Sequence, residues 1–167
     1  MMRAGAAALG LAGLLLAAPV HAEPDGAPWG HSGAGDGRTC AACHQGPAET
    51  RPTLSLDGLP QRPQAGETYE LILALAGAGP LNGMQVELVA GGGDAGRFVT
   101  VDKVADVEVQ GARARSIGGG PRWRLQWQAG QDCDVRFHIA AVAGNDDLSP
   151  FGDAVVAETV ALPCAAE

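Results

Sequence analysis

Five consecutive residues, Cys40-Ala41-Ala42-Cys43-His44, place two thiols and an imidazole where all three can act on one ligand. Covalent attachment of a porphyrin needs two thiols that reach two vinyl groups of the same ring. It also needs a following His that turns its imidazole onto the iron from the same side. The CxxCH spacing supplies all of these. The expectation is one covalent haem c, held by Cys40 and Cys43, with His44 as proximal iron ligand. The same spacing also serves a redox CxxC disulfide, half of a zinc site, or nothing at all. A redox CxxC opens a helix within a βαβ pattern, which the Gly-rich surroundings do not resemble. A zinc site needs a second close Cys/His pair, and the sequence offers none.

Electron-transfer haems usually take His or Met on both axial sides. Downstream of the leader described below, the remaining candidates are His31, His138 and Met84. His31 is the first choice, nine residues before Cys40 in a Gly-rich stretch that can fold back over a porphyrin, although a loop His is often just solvated. His138, in Val135-Arg136-Phe137-His138-Ile139, alternates to the face opposite Phe137 and reads as an outward strand residue. Met84 reads as core. The other two cysteines, Cys133 and Cys164, are 31 positions apart. In an exported chain they are expected to form a disulfide. At neighbouring ends of adjacent antiparallel strands, that bond would stabilise the fold by roughly 3 to 4 kcal/mol on the chain-entropy view.

Export is expected from the first residues. Met1 to Ala22 has one basic residue, Arg3, an apolar run through Leu9, Leu11 and Leu14-Leu15-Leu16, and a closing Val20-His21-Ala22 of the kind cut by a signal peptidase. The apolar stretch is too short for the roughly 20 residues of a spanning helix. Removing a 22-residue leader from 167 residues leaves 145, the size of one domain. The formal charge of −8 becomes −9 without Arg3, and Lys103 is the single Lys. Such a chain is a poor match to nucleic acid, whose phosphates call for a basic surface.

Residues 23–52 form the expected haem-attachment segment, loop-rich and with at most one helical turn at the motif. Pro24, Pro28, Gly30, Gly33, Gly35, Gly37, Gly46, Pro47 and Pro52 interrupt it, and Trp29 is its only large apolar side chain. It cannot enclose a porphyrin alone, so a haem there would lean on the following domain, a partner or solvent. Wetter haems are expected to have lower potentials.

Residues 53–167 read as seven or eight short strands. They cover Leu54/Leu56, 69–75, 84–89, 97–101, 104–109, 122–127, 133–142 and 154–162, separated by turn clusters rich in Gly. Trp123, Leu125 and Trp127 share one face, against Arg122, Arg124, Gln126 and Gln128. The fold class expected is all-β, an antiparallel β-sandwich. Asp132/Asp134 and Asn145-Asp146-Asp147 have spacing generic enough for solvated loops rather than a calcium site.

The order Gly37 to Gly46, Ala65-Gly66-Glu67-Thr68-Tyr69, Gly83-Met84-Gln85-Val86, Ala95-Gly96-Arg97-Phe98, Trp123 with Trp127, and Val135 to Asn145 followed by Gly152-Asp153 resembles the bacterial reelin-like, or choice-of-anchor V, domain. The resemblance covers about residues 30–160. It implies an immunoglobulin-like sandwich behind a short CxxCH segment, and carries function to Cys40, Cys43 and His44 only. Met84 stands where relatives commonly have an aromatic. A His often found before the Trp strand is replaced by the run Arg113-Ala114-Arg115-Ser116-Ile117. Relatives often continue into a C-terminal anchor, whereas this sequence ends Ala165-Ala166-Glu167, which favours a soluble form.

The function expected is that of an exported monohaem c-type cytochrome, periplasmic or secreted, acting in electron transfer with redox partner proteins. It is expected to be an electron carrier rather than an enzyme, with a haem enzyme such as a peroxidase as a third class, and, once the leader is cut, not to span a membrane. Homo-oligomer formation is compatible with the sequence. The other class is a binding or adhesion module whose haem segment is structural, and fold alone does not choose between them.

Overall fold

The computed structural model describes residues 26–46, 51–101 and 106–164. The expected leader, Met1 to Ala22, lies outside them, as do Lys103, residues 23–25 and 47–50 of the attachment segment, and the start of the strand expected at 104–109. Among the described residues no helix is long and apolar enough to cross a membrane.

Among the described residues, nine strands make two antiparallel sheets. They are β1 (Thr53–Asp57), β2 (Thr68–Ala76), β3 (Leu81–Ala90), β4 (Gly96–Val99), β5 (Val107–Gln110), β6 (Arg113–Ser116), β7 (Arg122–Ala129), β8 (Val135–Gly144) and β9 (Ala154–Leu162). One sheet runs β1-β2-β7-β4 and the other β5-β6-β3-β8-β9. The expected all-β sandwich is what the chain forms, with one more strand than the pattern suggested. That strand, β6, has the sequence Arg-Ala-Arg-Ser. Its inward side chains are the small Ala114 and Ser116, so it carries no hydrophobic alternation to read.

Alternation decides what the sheets bury. Leu71, Leu73 and Leu75 of β2 and Trp123, Leu125 and Trp127 of β7 face Met84, Val86, Leu88, Val135, Phe137 and Ile139 of the second sheet. Trp127 stands edge-on to Phe137 with ring centroids 5.2 Å apart, and its indole N–H donates to the Ala95 carbonyl at 3.0 Å. That bond removes most of the cost of burying the polar end of the ring. The Trp stripe is therefore sandwich core, and so is Met84.

The alternation breaks at two facing positions. Gln85 of β3 and Ala140 of β8 are paired across the sheet and point away from the core, yet both are buried. The cause is a third layer. Residues 27–32 bond onto that outer face: Gln85 donates from Nε2 to the Pro28 carbonyl at 2.8 Å and accepts from His31 N–H at 3.0 Å. Arg115 of β6 donates to the Ala27 carbonyl and stacks over the Trp29 ring, 4.7 Å from its centroid.

At one end of β8 and β9, Cys133 and Cys164 form a disulfide, with Cα atoms 4.8 Å apart. The Val135–Leu162 pair that begins the β8–β9 ladder brings them together. This is the expected bond at the expected neighbouring strand ends. It joins two positions 31 apart in the sequence.

Candidate functional site

The CxxCH motif forms one 3₁₀ turn, Cys40–Ala42, packed against β8 and β9. Thr39 caps it, its hydroxyl accepting from Ala41 N–H at 3.3 Å. The amides of Cys43 and His44 both bond to the Cys40 carbonyl. The turn keeps both cysteines and the histidine within one short stretch of backbone. Cys40 and Cys43 are free thiols, the first buried and the second exposed. Burial pushes the Cys40 thiol up to about 12, which keeps it protonated at neutral pH.

His44 is set by a residue 109 positions away. Its Nδ1 is 2.7 Å from Oδ2 of Asp153, whose side chain is only 5 % exposed, while the imidazole itself is 32 % exposed. The other oxygen of Asp153 accepts the Asn145 N–H at 3.0 Å. Because a carboxylate offers only acceptors, Nδ1 is the donor, and in the neutral imidazole Nε2 then carries the lone pair.

The backbone makes the same join. Gln45 donates to the Pro150 carbonyl at 2.8 Å, and Gly152 donates back to the Gln45 carbonyl at 2.7 Å, forming a parallel bridge between Gln45 and Phe151. A Cβ at Gly46 would overlap the Asp153 carbonyl, so a side chain there would push the strap off. Gly152, at φ +88°, turns the loop into β9. Leu148 and Phe151, in this loop, are 86 % and 64 % exposed, the most exposed large hydrophobic residues described.

The other residues singled out are placed as follows. Ser32 bridges to Thr39, which returns the His31 end of the strap beside the motif. His31 Nδ1 is 3.0 Å from the Pro28 carbonyl. His138 faces outward, opposite Phe137, with Nδ1 3.2 Å from the Thr159 hydroxyl. The Asp132 oxygens accept from Gly92 and Asp134 amides, bonds that hold its carboxyl below its ordinary value. Asp147 likewise binds Asn145 and Ser149 within its own loop. These carboxylates serve turns.

Asp153 is the residue that reading the sequence for chemistry missed. It stands beside Gly152 as a lone acid at the head of an apolar strand, but nothing local ties it to a motif so far upstream.

Fold and site together define an antiparallel β-sandwich with a CxxCH turn strapped to one sheet. Among solved structures, the chain resembles the reeler domain of human F-spondin in two forms. One is 14 % identical over 71 % of this chain and 91 % of that chain, with a TM-score of 0.44; the other is 15 % identical over 71 % and 90 %, at 0.46. The Reelin-N domain of F-spondin is 16 % identical over 73 % and 94 %, at 0.47. Such a likeness concerns the arrangement of strands alone. No protein-family model and no curated protein matches the chain.

Proposed function

We propose that the protein is an exported β-sandwich carrying one haem c, which it uses for electron transfer with other proteins. The observation that carries the reading is the setting of His44: Nδ1 is engaged by Asp153, and Nε2 has no partner among the described residues, beside two free thiols in the same turn. The donor set fits a c-type haem. Cys40 and Cys43 would each add S–H across a vinyl group to form a thioether, and His44 Nε2 would take the proximal position. Such a group supplies a metal that changes oxidation state by one electron. The protein's part is to hold the imidazole, set its basicity and leave an edge open to redox partners. Leu148 and Phe151 offer apolar surface next to the strap. His31 is the residue that would serve as a second protein ligand to the group. The Cys133–Cys164 bond suits an oxidising compartment, periplasmic or extracellular, and no catalytic acid or base is assigned.

A second reading has its own support. The strap is bonded to Gln85, Glu87 and Arg115, and Cys40 is buried against the sheet, as in a structural cap on an extracytoplasmic binding or adhesion module. Expression with a periplasmic haem-attachment system, followed by denatured pyridine haemochrome and native spectra, separates the two. One covalent haem per chain with six-coordinate low-spin iron is the result expected of the carrier. Intact mass showing no haem overturns it and leaves the binding module; five-coordinate iron reopens catalysis or gas sensing.

A further inference from the structure

We infer that Asp153 is a positioning residue for the haem iron, fixing the tautomer of His44 and lowering the reduction potential through it; the inference rests on the haem reading above. A carboxylate buried to this degree in a chain of formal charge −8 is costly unless it is matched. Its described partners are the Asn145 amide, which orients it, and the His44 ring. The hydrogen bonds on either side of Gln45 and the close approach of Gly46 to the Asp153 carbonyl hold ring and carboxylate in register. The arrangement is therefore built on backbone as well as on the side-chain hydrogen bond.

A charged acceptor on Nδ1–H shifts electron density into the imidazole and strengthens Nε2 as a donor. A stronger donor favours the more positive, oxidised metal, so the potential falls relative to the same ligand without the carboxylate. Neutral Asn at the same position keeps the size and the bond to Asn145 but loses the charge.

The test compares the full haem-loaded chain with Asp153→Asn and with Asp146→Asn, which removes one exposed charge from the same loop. Redox titration is expected to show a clear rise in midpoint potential for Asp153→Asn and a much smaller one for Asp146→Asn, with haem content unchanged. Equal shifts overturn the inference, since only the general charge would then matter; so does no shift. In the haem-free chain, ¹⁵N-histidine NMR is expected to show His44 protonated on Nδ1 in the wild type and a mixed tautomer in Asp153→Asn. A wild-type ring protonated mainly on Nε2 overturns it as well. Absence of covalent haem from the wild type, by contrast, fails the cytochrome reading itself and takes the potential claim with it.

Discussion

The two cysteine pairs are used in opposite ways. Cys40 and Cys43 are neighbours in sequence, share one 3₁₀ turn and remain separate thiols. Cys133 and Cys164 are distant in sequence and are joined because antiparallel β8 and β9 begin and end beside each other. A close pair closes almost no loop, so bonding it would add little to stability. A distant pair removes far more freedom from the unfolded chain. The first pair suits a ligand and the second a staple, and the sharpest tests are those that should separate the two roles.

The largest effect is expected from Cys40→Ala/Cys43→Ala: complete loss of covalent haem by pyridine haemochrome, with the sandwich still folding by circular dichroism. Retention of covalent haem would break the comparison. Next, Trp127→Ala removes a fully buried ring and its bond to Ala95, and should cost about 3–5 kcal/mol in urea unfolding. Opening the staple with Cys133→Ser/Cys164→Ser should cost about 2–4 kcal/mol while leaving haem content unchanged. A coupled loss of haem would show that the two pairs are not independent. Gly46→Ala should cost about 1–3 kcal/mol by overpacking against Asp153. Its signature is faster amide exchange at Gln45 and Gly152 than in the core. Smallest, in haem-free protein at neutral pH, a thiol reagent should modify exposed Cys43 well before Cys40, whose ionisation burial opposes. Mass mapping of the labelled cysteines checks the order, and equal rates would show the turn to be open in solution.

What could be read from the sequence divides along the same physical line. The Trp123-Leu125-Trp127 stripe, the strand pattern and the staple announce themselves because each is local or concerns a rare residue type. Strand β6 does not, because Ala114 and Ser116 are too small to mark a face. Gln85 and Ala140 alternate as surface positions and are covered only because the strap lies across them. The thiols and His44 are visible as a motif, yet the partner that orients the imidazole is not. Asp153 is an ordinary acid until the loop between β8 and β9 folds back on Gln45.

That long separation also imposes an order in time. During synthesis His44 emerges 109 residues ahead of Asp153, and the loop that carries the carboxylate follows eight strands of the sandwich. The CxxCH turn must wait through that interval without the carboxylate that later aims its ring. On the proposed reading, a porphyrin would be joined to a segment whose orienting carboxylate lies far downstream, an order set by the connectivity of the fold.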